Sequence, residues 1–60
     1  MRTEVNFKDV DVTKEYWILW ENVRGRHESV GYTFYDQTEE RFIAVIDGCE
    51  CGTALRIYSL

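Results

Sequence analysis

The sequence predicts an α+β fold: a β-hairpin, one helix and a closing strand, forming a three- to four-stranded antiparallel-type sheet with the helix packed on one face. Three observations point there. The run Glu15–Val23 is dense in aromatic and β-branched residues on both alternating faces, as suits a strand buried on two sides. Asp36-Gln37-Thr38-Glu39 pairs a side-chain acceptor with a glutamate three residues later, the sequence form of a capping box, just ahead of an apolar cluster. The 60 residues hold 45 % apolar and 15 % aromatic side chains, too many for a disordered chain and enough for one small domain spanning 1–60.

Each element follows in order. Val5–Val12 has strand-like composition broken by Asp9 and Asp11, so residues 1–13 form either a loose arm or a short edge strand. Glu15–Val23 is the central strand. Arg24-Gly25-Arg26-His27 supplies a polar turn, and Ser29–Tyr35 resumes a β-rich run, so the two strands make a hairpin. A helix from about Gln37 to Asp47 comes next, with Phe42, Ile43, Val45 and Ile46 within an arc of about 160° on a helical wheel. Phe42–Ile46 is also short and partly β-branched, which leaves a strand as the competing reading. Gly48 serves as the residue that ends the helix, and Thr53–Leu60 is the last strand. A right-handed crossover through the helix then sets the last strand antiparallel to the first, which lies in the middle.

Alternation assigns side chains to faces. Tyr16, Ile18, Trp20, Val30, Tyr32, Phe34, Leu55 and Ile57 fall on the helix side, and Trp17, Leu19, Thr33, Tyr35, Arg56 and Tyr58 on the other. One helix covers only one face, so the second is either covered by the N-terminal arm or used for binding.

Charge and length limit the function classes. Eleven acids against seven bases, a formal charge of −4, disfavour direct nucleic-acid binding, because phosphate neutralisation needs a basic surface. A domain of this size has little core to support a deep catalytic cleft, so no enzyme activity, catalytic residue or cofactor is assigned. The longest apolar runs, Tyr16–Trp20 and Phe42–Ile46, are too short for a membrane span or a signal peptide, and the expected location is the cytoplasm. Cys49-Glu50-Cys51 with His27 and Asp47 offers zinc-ligand types, yet the two-residue-gap cysteine pairs of structural zinc sites are missing, and ordinary loop thiols are the better reading. Arg24-Gly25-Arg26 is read as a solubilising hairpin tip, and Gly48 and Gly52 as turn residues. Asp36, Glu39, Glu40, Asp47 and Glu50 cluster on the expected helix and its ends as an acidic strip suited to steering toward a basic surface.

Lys14-Glu15-Tyr16-Trp17, His27, Tyr35-Asp36-Gln37-Thr38, the acid-rich stretch after them and Arg56 resemble, with gaps between Lys14 and Tyr58, the short podovirus proteins that inhibit the bacterial host's RNA polymerase. The resemblance implies a three-stranded antiparallel sheet with one helix, a poorly ordered N-terminal arm, an acidic surface and polymerase-binding arginines in the last strand. Arg56 matches one of those arginines; the second falls at Tyr58. The expected function is therefore a small acidic, phage-encoded, non-enzymatic inhibitor or modulator acting in the host cytoplasm. It would occlude a bacterial nucleic-acid enzyme such as RNA polymerase through Trp17, Tyr35, Arg56 and Tyr58, with Glu39 and Glu40 on an acidic rim. The alternative is a homo-oligomeric structural or accessory domain, a homodimer for instance, that buries the same aromatic face against itself.

Overall fold

A computed structural model describes residues 2–60 and contains five strands: β1 (Glu4–Val5), β2 (Tyr16–Asn22), β3 (Gly25–Asp36), β4 (Arg41–Ile46) and β5 (Cys49–Tyr58). A single 3-10 turn, Phe7–Asp9, lies between β1 and β2. All pairings are antiparallel. β2, β3, β4 and β5 form a meander, and β5 pairs with both β4 and β2, so the four strands close into a barrel with β1 added alongside the end of β5. The expected α+β architecture is thus corrected to an almost all-sheet one, and the helix over Gln37–Asp47 does not form.

The physical reason lies at both ends of β4. Asp36 does act as an acceptor, with Oδ1 taking bonds from the Thr38 amide (2.8 Å) and the Glu39 amide (3.1 Å). Those bonds close a hairpin turn, which Glu40 completes at φ 55°. A side-chain oxygen that satisfies the amides two and three residues on serves a turn as well as it serves a helix start. At the other end Asp47 (φ 53°) and Gly48 (φ 79°) both take left-handed conformations. That is the two-residue turn whose twist matches paired strands, with Asp-Gly its preferred sequence, so Gly48 links β4 to β5 instead of ending a helix.

Closure of so narrow a barrel needs bends, and the residues at the bends are specific. Leu19 of β2 faces Arg56 of β5 while Trp20 faces Ala54, leaving Leu55 as an unpaired extra residue; Cys51 is likewise extra between the pairs Ala44–Gly52 and Val45–Glu50. Such bulges kink a strand and reset its alternation. Gly31 and Gly52 sit where strands nearly touch: a Cβ on Gly31 would lie 2.3 Å from the Val45 carbonyl oxygen, and one on Gly52 2.2 Å from that of Glu21.

Tyr16, Ile18 and Trp20 enter the core from β2 and meet Ala44, Ala54 and Ile57, with Ile18 and Ile57 wholly buried. Thr33 is buried too, its hydroxyl donating to the Ile43 carbonyl (2.7 Å). The face assignment for Tyr16, Ile18, Trp20 and Ile57 matches expectation, but the phase of β3 is inverted. Gly31 and Thr33 point inward, whereas Val30 and Tyr32 are exposed and Phe34 is half-buried. Leu55 is also misassigned, because its bulge turns Ala54 inward. The N-terminal segment covers one end of the barrel: Val5, Phe7 and Val10 pack on the core, Phe7 stacks on Phe42 (4.3 Å between centroids), and the Asp11 amide donates to the Tyr16 hydroxyl (2.9 Å). Residues 2–13 therefore form a short edge strand and a packed turn rather than the loose arm that the resemblance implied.

Candidate functional site

The outer face of β5, β2 and β3 carries two rows of side chains, and the strand register fixes both. Trp17 pairs with Tyr58 on one side and Val30 on the other, giving the row Tyr58, Trp17, Val30. Two residues along, Leu19 pairs with Arg56 and Glu28, giving the row Arg56, Leu19, Glu28. Neighbouring strands lie about 4.8 Å apart, so each row spans roughly 10 Å of surface. Trp17, Leu19 and Tyr58 are half-buried, and Val30 and Tyr32 are respectively 40 % and 43 % exposed.

Trp17 is held in place. Its indole N–H donates to Glu28 Oε1 (2.8 Å), and the Arg2 guanidinium lies over its ring, 4.3 Å from the centroid. The carboxylate fixes the ring edge and the cation lies against its electron-rich face. Together Arg2, Trp17, Leu19, Glu28 and Tyr58 line an open concavity of ≈ 380 Å³.

Of the residues expected to form a binding face, Trp17, Arg56 and Tyr58 come together here. Tyr35 does not: it follows the inverted phase of β3 and lies near the barrel end, its ring edge against Phe42 (5.1 Å). The acidic strip does not form either, because β4 separates its parts. Asp36 ends β3, Glu39 and Glu40 lie in the turn before β4, and Asp47 and Glu50 lie at or beyond the turn after it. Glu39 is engaged within the chain, with Oε1 2.6 Å from Arg41 Nη2; Arg41 also donates to the Thr53 hydroxyl. Glu40 is exposed. Sequence reasoning left Arg2, Glu28, Val30 and Tyr32 out of the site. The signal for Glu28 and Val30 was the pairing of the β2–β3 hairpin, since a two-residue turn at Val23-Arg24 sets Glu28 opposite Leu19 and Val30 opposite Trp17; Tyr32 follows them by alternation along β3.

His27 and Cys51 have local partners. His27 stacks on Trp20 (4.5 Å between centroids), and its Nε2 lies 3.2 Å from Asn22 Oδ1. The Cys51 thiol donates to the Cys49 carbonyl (3.3 Å), and both cysteines are free thiols. Among the described residues, no three His, Cys, Asp or Glu side chains converge on a common point suited to a metal ion. Trp20 Nε1 is buried without a hydrogen-bond partner among the described residues. No helix among the described residues is long and apolar enough to cross a membrane.

Compared with known protein families, characterised proteins and solved structures, the chain matches none.

Proposed function

We propose that the protein is a small non-enzymatic binding module that inhibits or modulates another protein by seating the outer face of β5, β2 and β3 upon it. The observation that supports this reading is the pair of rows Tyr58–Trp17–Val30 and Arg56–Leu19–Glu28. Aromatic and arginine side chains supply most of the energy in protein interfaces, and those surrounded by apolar neighbours supply it best. Trp17 is already oriented by Glu28 and Arg2, so little side-chain freedom is lost when it is covered. Within the barrel, side chains fill the interior, so recognition falls to the outside.

Bacterial RNA polymerase is the partner that we put first, with the chain acting as a phage product in the host cytoplasm. Arg56 on the outer face supports it, and the net charge of −4 suits the basic surfaces by which such enzymes hold nucleic acid. The helix of the resembling proteins is replaced here by β4, so contact is assigned to the sheet face. The test is transcription by purified polymerase with increasing amounts of the protein. Inhibition by the parent is expected, weakened more than tenfold by Arg56→Ala and by Trp17→Ala, since truncating an interface anchor costs about 2 kcal/mol. Circular dichroism of both variants should match the parent. A parent that neither binds nor inhibits removes the polymerase; full inhibition by both variants removes the face.

The exposure of Val30 on this face and of Tyr32 beside it favours a second reading, in which the face is buried against another copy. Self-association abolished by Trp17→Ala would establish it.

A further inference from the structure

The first half of β3 has a free side. Gly25–Gly31 pair with β2 and Tyr32–Asp36 pair with β4, so among the described residues no strand lies beside Arg26–Val30 on the side away from β2. The backbone direction there follows from the turn. Asn22 and Gly25 close a two-residue loop and exchange both backbone bonds; by alternation Trp20–His27 and Ile18–Ser29 do the same. Arg26, Glu28 and Val30 therefore direct their N–H and C=O groups outward, where the described residues offer them no partner. Their side chains are exposed on the outer face.

We propose that this edge pairs antiparallel with the same edge of a second copy, about a two-fold axis at His27. The two-fold symmetry and the outward direction of Arg26, Glu28 and Val30 leave few registers. An axis at Glu28 sets two carboxylates against each other and gives Arg26 only Val30 to face. An axis at Ser29 sets Arg26 against Tyr32, whose edge β4 already occupies. An axis at His27 sets Arg26 opposite Glu28 of the second copy, and Glu28 opposite its Arg26. Each of those two pairs exchanges both backbone bonds and brings opposite charges together on one face.

The groups needed are available. Arg26 approaches Glu21 only through Nε at 3.9 Å, and Glu28 uses Oε1 for Trp17, leaving its second oxygen free of hydrogen bonds to the described residues. Charges on an edge strand ordinarily repel a second edge. Opposite charges two residues apart attract only in the self-complementary register, where each meets its opposite across the axis. The row Arg56–Leu19–Glu28 then continues onto Arg26 of the second copy, so the dimer presents two copies of the outer face side by side. A partner with two matching sites would be bound with higher avidity.

Sedimentation equilibrium of the full chain, up to about 1 mM to capture weak association, tests the pairing. The parent should dimerise with rising concentration. Arg26→Glu and Glu28→Arg should each be monomeric, because each variant sets like charges opposite one another. An equimolar mixture of the two should recover the dimer, since the two carboxylates on the edge of one chain then face the two guanidinium groups on the edge of the other. Circular dichroism confirms that each variant is folded, and recovery on mixing is itself a sign of folded chains. A parent that stays monomeric, single variants that still dimerise, or a mixture that does not associate would each overturn the proposal. Dimerisation lost on Trp17→Ala but kept in both charge variants would assign the contact to the aromatic face and likewise overturn it.

Discussion

β2 and β3 are adjacent strands of one hairpin, yet they distribute side-chain volume in opposite ways. β2 is large on both faces, with Tyr16, Ile18 and Trp20 inside and Trp17 and Leu19 outside. Along its middle, β3 is large on one face only: Gly31 and Thr33 lie inside and Val30 and Tyr32 outside. The narrow interior is filled mainly by Tyr16, Ile18 and Trp20 of β2 with Ile57 of β5, and the inward positions Gly31 and Thr33 of β3 and Ala44 of β4 are small. The aromatic and aliphatic side chains that the interior cannot hold become the outer face. The candidate binding surface is in this sense a consequence of how narrow the barrel is.

Substitutions on the two strands should therefore follow position rather than size. Ile18→Ala should be the most damaging, at about 3 kcal/mol by urea denaturation, since a wholly buried side chain leaves a cavity. For a domain of this size that is much of the total stability. Trp17→Ala, the larger deletion one residue away, should cost clearly less because Trp17 is only half-buried. An equal or greater loss for Trp17 would mean that the outer face is a second core. On β3 the order of sizes inverts. Gly31→Ala adds one methyl group but drives it against the Val45 carbonyl oxygen, which has little freedom to move, and should cost about 2 kcal/mol. Val30→Ala removes two methyl groups from an exposed position and should cost less than about 1 kcal/mol, the size of one cross-strand contact. Val30 proving more sensitive than Gly31 would break the assigned phase of β3.

That phase is also where the sequence was hardest to interpret. In β2 the strand itself was legible, because every position from Tyr16 to Trp20 is large and either parity gives the same strand. The opposition of Arg56 and Ile57 was legible too, and with it three residues of the candidate face: Trp17, Arg56 and Tyr58. In β3 a rule that sends large residues inward gives the wrong answer, because the interior was already filled from β2. Tyr35 was lost from the site by the same error. Leu55 and Cys51 were illegible for another reason, since a bulge is set by the closing geometry of distant strands and leaves no local mark. The missing helix differs again. Asp47-Gly48 between two apolar runs is a strong hairpin signal, and it was outweighed by an Asp36 acceptor pattern common to helix starts and turns. Shortness and β-branching in Phe42–Ile46 were the physical clues that favoured a strand.

The smallest expected effect concerns how β2 is held at its start, a support that β3 does not share. Asp11 Oδ1 accepts bonds from the Thr13 hydroxyl (2.6 Å) and the Thr13 amide (2.9 Å), while the Asp11 amide donates to the buried Tyr16. The Thr13 hydroxyl bond, reinforced by the Thr13 amide and by the charge of Lys14, holds the Asp11 carboxyl below the usual carboxylate range. A carboxyl whose folded pKa is depressed contributes stability that is present above its unfolded value and is lost as pH falls through the folded one. The effect should be modest, because Asp11 is bonded at the surface and water screens it. Carbon-detected titration of the Asp11 carboxyl should place its midpoint below that of a free aspartate, and Thr13→Ala should move it back upward. Over the same acid range, amide exchange should quicken at the start of β2, around Tyr16, before it quickens at Thr33 in β3. A midpoint at or above the free value, or simultaneous loosening of both strands, would show that the turn at Asp11 does not secure β2.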